Sequence, residues 1–160
     1  MEKAKIEENY IEVLEFGVNT SECNEKYAVE IPYLVEVHSV KSVTKLPCTP
    51  AFIIGIINFR GKIISVIDIR NFLGFTTKLV EVDKVKKVIV VKVNDLELGI
   101  IADSILACNL ISLSEIQKNV LAAMNFNSKY FKGITRAGSI VLDIKNIMLD
   151  EKIIVDEEVI

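Results

Sequence analysis

The sequence predicts an all-β protein with short helices, built from two similar units. Three observations carry that prediction. Ile and Val supply 24 and 19 of the 160 residues, against only seven Gly and three Pro, and β-branched side chains fit a pleated, half-buried surface. Apolar and polar residues alternate with a period near two through most of the chain. The sequence also repeats itself. Phe52-Ile53-Ile54-Gly55-Ile56 is answered by Tyr130-Phe131-Lys132-Gly133-Ile134, and Val66-Ile67-Asp68-Ile69-Arg70-Asn71 by Val141-Leu142-Asp143-Ile144-Lys145-Asn146. A repeat of about 75 residues in a β-rich chain predicts two small units, each marginal alone and sharing an apolar interface.

The elements follow in order. Ile11–Val18 alternates imperfectly and reads as a strand, with Asn19–Lys26 as a polar turn. Tyr27, Val29 and Ile31 mark a second strand ending at Pro32. Leu34–Thr44 resumes with Val35 and Val37 on the face opposite Glu36 and His38. Pro47-Cys48-Thr49-Pro50 is a rigid connector, since each proline fixes its own φ and turns its predecessor away from helix. Phe52–Asn58 and Lys62–Ile69 are strands around the turn Phe59-Arg60-Gly61, and Arg70–Phe75 is a helical turn stopped by Gly74. Val88–Val93 is almost continuously β-branched, as expected where both strand faces are covered. Leu96–Ala102 follows, and its continuation Leu98–Cys108 aligns loosely with Tyr27–Val37. Ser112-Leu113-Ser114-Glu115 spells a capping box, and Met148–Ile160 an amphipathic terminal helix. The whole reads as one domain, 1–160, with subdomains over 10–80 and 81–146 and a helix over 147–160.

Composition excludes several functions. A formal net charge of −3 and no Trp argue against a nucleic-acid groove, which needs basic residues among exposed aromatics. The longest apolar run, Ala51–Ile57, is far short of the roughly 20 residues that span a bilayer, and the first residues form no apolar signal segment. Cys23, Cys48 and Cys108 are too widely spaced for a metal or redox pair. A reduced, cytoplasmic protein follows, with the thiols as small apolar fillers. Gly55 to Gly61-Lys62 fails as a phosphate loop, because Ile63 stands where Ser or Thr would hold magnesium and a strand pattern follows instead of a helix. His38 is the only histidine, and no partners for a nucleophilic triad accompany it. Asp68 and Asp143 occupy equivalent places in the repeat and read as repeated caps. No catalytic, cofactor or metal site is expected.

Three arginines stand out among 16 lysines: Arg60, Arg70 and Arg136, all inside the repeated blocks. Where Lys is the habitual cation, Arg is placed for its planar fork of donors. Arg70 is expected to pair with Asp68 or a nearby acid. Arg60, at a turn beside Asn58, is expected to reach a partner protein.

The stretch Tyr27–Ile31, Leu34–Val37 and Val43–Arg70, with its Thr49-Pro50-Ala51-Phe52-Ile53-Ile54-Gly55-Ile56-Ile57-Asn58-Phe59-Arg60-Gly61 block, closely resembles the CheW family of bacterial chemotaxis coupling proteins. Val88–Val93, Gly99–Asp103 and Tyr130–Ile134 extend the resemblance over about residues 10–150. Phe59 stands where the family commonly has Leu, and Ala102 where it has Val. The resemblance implies two packed five-stranded SH3-like β-barrels and a scaffold without catalysis. Its implied partners are the regulatory domain of the histidine kinase CheA and the cytoplasmic tip of methyl-accepting chemotaxis receptors, in membrane receptor arrays. By motif position, Glu36, Asn58, Arg60 and Gly61 match coupling residues, and Leu34 and Gly55 groove residues. The same module serving a kinase of another pathway (development, surface motility or gene expression) fits this sequence equally.

Overall fold

The computed structural model describes residues 9–19, 24–123 and 128–153. Among the described residues ten strands form: β1 (Tyr10–Asn19), β2 (Asn24–Glu30), β3 (Leu34–Ser39), β4 (Ile53–Phe59), β5 (Lys62–Ile67), β6 (Lys87–Val93), β7 (Leu96–Ala102), β8 (Ser104–Ser112), β9 (Phe131–Ile134) and β10 (Ile140–Leu142). Short helices α1 (Ile69–Phe72), α2 (Asn119–Ala123) and α3 (Ile144–Met148) follow β5, β8 and β10. The chain is all-β with short helices, and its strands make two five-stranded sheets, ordered β8-β1-β2-β10-β9 and β3-β6-β7-β5-β4. Every pairing is antiparallel except β10 with β2 and β5 with β7.

The repeat is visible strand by strand, because β1–β5 are equivalent to β6–β10 in both order and pairing. The sheets do not follow the expected division at residue 80, however. The β1–β2 hairpin of the first repeat completes the sheet of β8–β10, and β6–β7 of the second completes the sheet of β3–β5. Short crossings enforce this exchange. Asp103 alone joins β7 to β8, less than the two residues of the tightest hairpin loop, so β8 cannot fold back beside β7. One 3-10 turn, Ile31–Tyr33 with Pro32 inside it, carries β2 into β3.

One large core spans both sheets. Val88–Val91 of β6 are all fully buried, as a strand covered on both faces requires. Phe72 of α1 packs edge-on against Phe52 (5.1 Å) and against Tyr130 (4.9 Å), joining the two sheets through aromatic contacts. A polar knot is buried beside this seam. Asp68 caps α1 through the Arg70 N–H and also accepts from the Arg70 guanidinium at 3.2 Å. Burial opposes the charge on Arg70, yet the bonds and charge of Asp68 hold its pKa above the ordinary value. In the second repeat Asp143 caps α3, accepting from the Asn146 N–H. Both aspartates are caps.

Several local features differ from the sequence-based expectation. Cys48 and Cys108 are exposed and fill nothing, since Cys48 lies in a turn at φ +60° and Cys108 on an edge strand; Cys23 lies outside the described residues. The Ser112 hydroxyl accepts from the Ser114 N–H at the head of a 3-10 turn, so no reciprocal box with Glu115 forms. Helix begins at Ile144, earlier than 147, and recurs at 151–153; residues 154–160 of the expected terminal helix lie outside the described residues. Among the described residues no helix is long and apolar enough to cross a membrane.

Candidate functional site

Phe59 pairs with Lys62, which leaves Arg60 and Gly61 as a two-residue hairpin loop. Both lie in the left-handed region, at φ +50° and +81°, the geometry of a type I′ turn whose twist matches its strands. Gly61 adopts it freely, whereas Arg60 sits there at a cost of about 1 kcal/mol. The Asn58 side chain closes the turn by accepting from the Gly61 N–H at 3.0 Å. Asn58 and Gly61 thus fix the position from which Arg60 projects.

The Arg60 side chain is 70% exposed, and its Nη2 donates to Glu36 Oε1 on β3. The guanidinium lies 5.0 Å above the ring of Phe59. Glu36 Oε2 is also 3.6 Å from His38 Nδ1, and the His38 ring meets Phe59 edge-on at 5.2 Å. Phe59, 2% exposed, is therefore the apolar floor beneath a polar corner of Glu36, Arg60 and His38. These contacts also draw the two edge strands of the sheet, β3 and β4, toward one another. The register shifts between Leu34 and Glu36, and along the strand Glu36 and His38 are half-buried while Val35 and Val37 are exposed.

Of the six residues singled out by sequence, Glu36, Asn58, Arg60 and Gly61 converge on this corner. Leu34, half-buried, packs against the core on the same strand. Gly55 does not join them. It is buried, and the backbone that approaches it belongs to this chain: a Cβ there would lie 2.3 Å from the Thr44 carbonyl oxygen. Thr44 and Ile56 exchange two backbone hydrogen bonds of 2.9 Å across that contact. Gly133 repeats the arrangement, with Gln117 O at 2.6 Å and a Gln117–Ile134 bridge. Both glycines admit a covering segment of this chain over their strand, so the small size of Gly55 is needed for the chain's own packing.

Sequence reasoning missed Phe59 and His38 as parts of the site. Their signals were the i, i+2 spacing of Glu36 and His38, which puts both on one strand face, and the place of Phe59 immediately before the turn. Among the described residues no three His, Cys, Asp or Glu side chains gather as metal ligands.

Residues 12–152 match the CheW-like domain family. The chemotaxis protein CheW of Thermotoga maritima is 30% identical over 149 residues, covering 91% of this chain and 94% of the relative. That of Treponema pallidum is 28% identical over 134 residues, covering 81% and 79%. The crystal structure of the scaffolding protein TtCheW from Thermoanaerobacter tengcongensis superposes with a TM-score of 0.70 at 26% identity, over 90% of this chain and 96% of that one.

Proposed function

The chain belongs to the CheW family, and on that premise we propose that it is a non-catalytic adaptor of bacterial chemotaxis, coupling methyl-accepting receptors to the histidine kinase CheA. The proposed partners are the regulatory domain of the kinase and the cytoplasmic tip of the receptor hairpin, which would recruit the protein from the cytoplasm to receptor arrays.

The observation that carries this reading is the corner built by Glu36, Asn58, Arg60 and Gly61, an exposed guanidinium on a turn already locked in shape. A fixed turn loses little freedom on binding, so a contact made there keeps most of its energy. Arg60 spends part of its fork on Glu36 and presents the rest outward. A partner carboxylate or run of carbonyls competes for it, with bidentate geometry that an ammonium lacks. The exposed Val35 and Val37 beside Glu36 offer apolar area next to that charge. Leu34 supports the strand from within, and Gly55 holds β4 against its cover. No step of this role requires a bond to be made or broken in a substrate.

The experiment is reconstitution of the chain with the kinase and a receptor cytoplasmic fragment, read as receptor-dependent kinase phosphorylation. The chain should raise that signal, and Arg60→Ala should remove most of the increase. A chain that binds neither partner, or an Arg60→Ala protein with full coupling, contradicts the proposal.

A further inference from the structure

The internal repeat sets two cavities side by side for comparison. Next to β4, Lys45, Ile53 and Ile54 line a cavity of about 340 Å³ whose other wall is 79–83, in the stretch that follows α1. Val80 and Val82 of that stretch pack against the core, and Val85 is buried. The equivalents of Lys45, Ile53 and Ile54 are Lys118, Phe131 and Lys132, aligned by the matching bridges at Thr44 and Gln117 and by Gly55 and Gly133. They line a cavity of about 660 Å³ next to β9, together with Leu113, Ile116 and Asp143. Among the described residues none beyond Asp143 forms a wall of it, and Leu113 is 43% exposed. Lys118 has no acidic partner among the described residues.

We propose that residues 154–160 of this same chain close the second cavity, as 79–85 close the first. The sequence selects that occupant. Counted from the capping aspartates Asp68 and Asp143, Leu79-Val80-Glu81 falls opposite Ile154-Val155-Asp156, Asp83 opposite Glu158 and Val85 opposite Ile160. Apolar meets apolar, and acid meets acid. One mismatch is informative. Ile54 and Val82 line the first cavity together, and their counterparts are Lys132 and Glu157, so an apolar pair in one unit stands as a pair of opposite charges in the other. Lys132 already holds Glu30 at 2.7 Å, but an ammonium has three donors and serves a second carboxylate as well. Asp143 on the wall is engaged by the N–H and side chain of Asn146, which leaves Lys118 and Lys132 to attract Asp156, Glu157 and Glu158. Reach is sufficient. Lys152 Nζ lies 5.7 Å from the ring of Tyr130, the residue before Phe131, and the segment beyond it spans about 23 Å when extended. Being tethered, it is present at high effective concentration, an advantage that a second copy or a free partner lacks.

The test follows the segment within the full chain by NMR. In a background of Cys23→Ser, Cys48→Ser and Cys108→Ser, a spin label on Val159→Cys reports its position, since Lys84, the counterpart of Val159, is exposed. The label should broaden the methyl signals of Leu113 and Ile116 equally at every protein concentration, and leave those of Ile63, beside the Arg60 turn, unchanged. Val155→Asp sets a carboxylate into the apolar part of the contact and should abolish that broadening. Glu157→Lys sets an ammonium against Lys132 and should weaken it. Without the label, Val155→Asp should also speed hydrogen exchange of the Gln117 and Ile134 amides about tenfold or more, while Thr44 and Ile56 exchange as before. Circular dichroism checks that each variant is folded. Unbroadened Leu113 and Ile116 signals, broadening that survives either substitution, or exchange indifferent to Val155→Asp each overturns the proposal. Broadening that grows with protein concentration overturns it too and assigns the cavity to a second copy. Broadening that appears only with the kinase domain or receptor fragment overturns it in favour of that partner.

Discussion

Replacing Gly55 with alanine tests how the sheet edge is built. Its φ is not in the left-handed region, so the backbone accepts any side chain and the cost is steric alone. The new methyl would sit 2.3 Å from Thr44 O and 2.8 Å from Val43 Cγ1, distances at which something must move. A side chain could swing away, but the closest atom is backbone. The segment around Thr44 must therefore lift from β4 and lose both of its 2.9 Å hydrogen bonds to Ile56. Two such bonds contribute about 1 kcal/mol each, and overpacking adds about 1–3 kcal/mol. The lower entropy of the unfolded alanine chain offsets roughly 0.4–1 kcal/mol. The net destabilisation is then about 2–4 kcal/mol, which for a chain of this size lowers the melting midpoint by roughly 5–15 °C. Urea unfolding followed by circular dichroism measures it, and Gly133→Ala should cost more, because it meets the same clash through Gln117 and its φ of +145° adds backbone strain. Gly55→Asp, which adds a charge at the same buried point, should not fold. A Gly55→Ala protein that melts with the wild type, or a folded Gly55→Asp that has lost only receptor binding, would refute this steric argument and return Gly55 to a binding groove.

Arg60→Gly removes the guanidinium and also the left-handed strain, so it should melt no lower than the wild type while losing receptor-dependent kinase activation. Arg60→Lys should recover that activation only in part, and full recovery would reduce Arg60 to a point charge. Asp68→Asn leaves the Arg70 guanidinium uncompensated in the interior and should cost about 3–5 kcal/mol in urea unfolding; removing Arg70 as well should recover part of the loss, and a simply additive pair would contradict the coupling. Burial, aided by the bond and charge of Asp150, pushes the Tyr130 phenol up to about 12. Burial would raise Asp150, but bonds from Tyr130, the Lys152 N–H and Lys129 outweigh it and hold its carboxyl below the ordinary value. Tyr130 therefore stabilises the fold fully below pH ~10, and that contribution is lost as pH rises from about 10 to 12; Asp150 contributes above the ordinary carboxylate range and loses its effect in acid. Tyr130→Phe should make the alkaline limb of stability against pH shallower by one proton, and an unchanged limb would exclude this pair as its source.

Most elements were legible because their causes are local. Alternation exposed the strands up to β7, Asp68 and Asp143 announced their caps, and β6 showed its double burial in Val88–Val91. Sheet membership was not legible. Similarity within the repeat says that β1 and β6 are equivalent, but equivalent hairpins present equivalent edges, and only the crossings at Ile31–Tyr33 and Asp103 decide which copy each completes. The turn of Asn58, Arg60 and Gly61 could be read from residue types, whereas its pairing with Glu36 spans two strands that share no ladder. For Gly55 the sequence signals close approach without saying whose backbone approaches. That identity is tertiary information.

The exchanged hairpins carry a consequence for ancestry. A chain with only one repeat would hold a hairpin whose proper place is in another copy, and it could close its sheet only by trading that hairpin with a twin. Duplicating and fusing such a gene turns an intertwined pair into one polypeptide, and a concentration-dependent assembly into a unimolecular one. The repeats β1–β5 and β6–β10 would then be inherited as units but fold across the line between them. A recombination event that cuts near residue 80 would transplant a sequence repeat and sever both sheets, so this lineage can lengthen or trim its loops far more readily than it can exchange its halves.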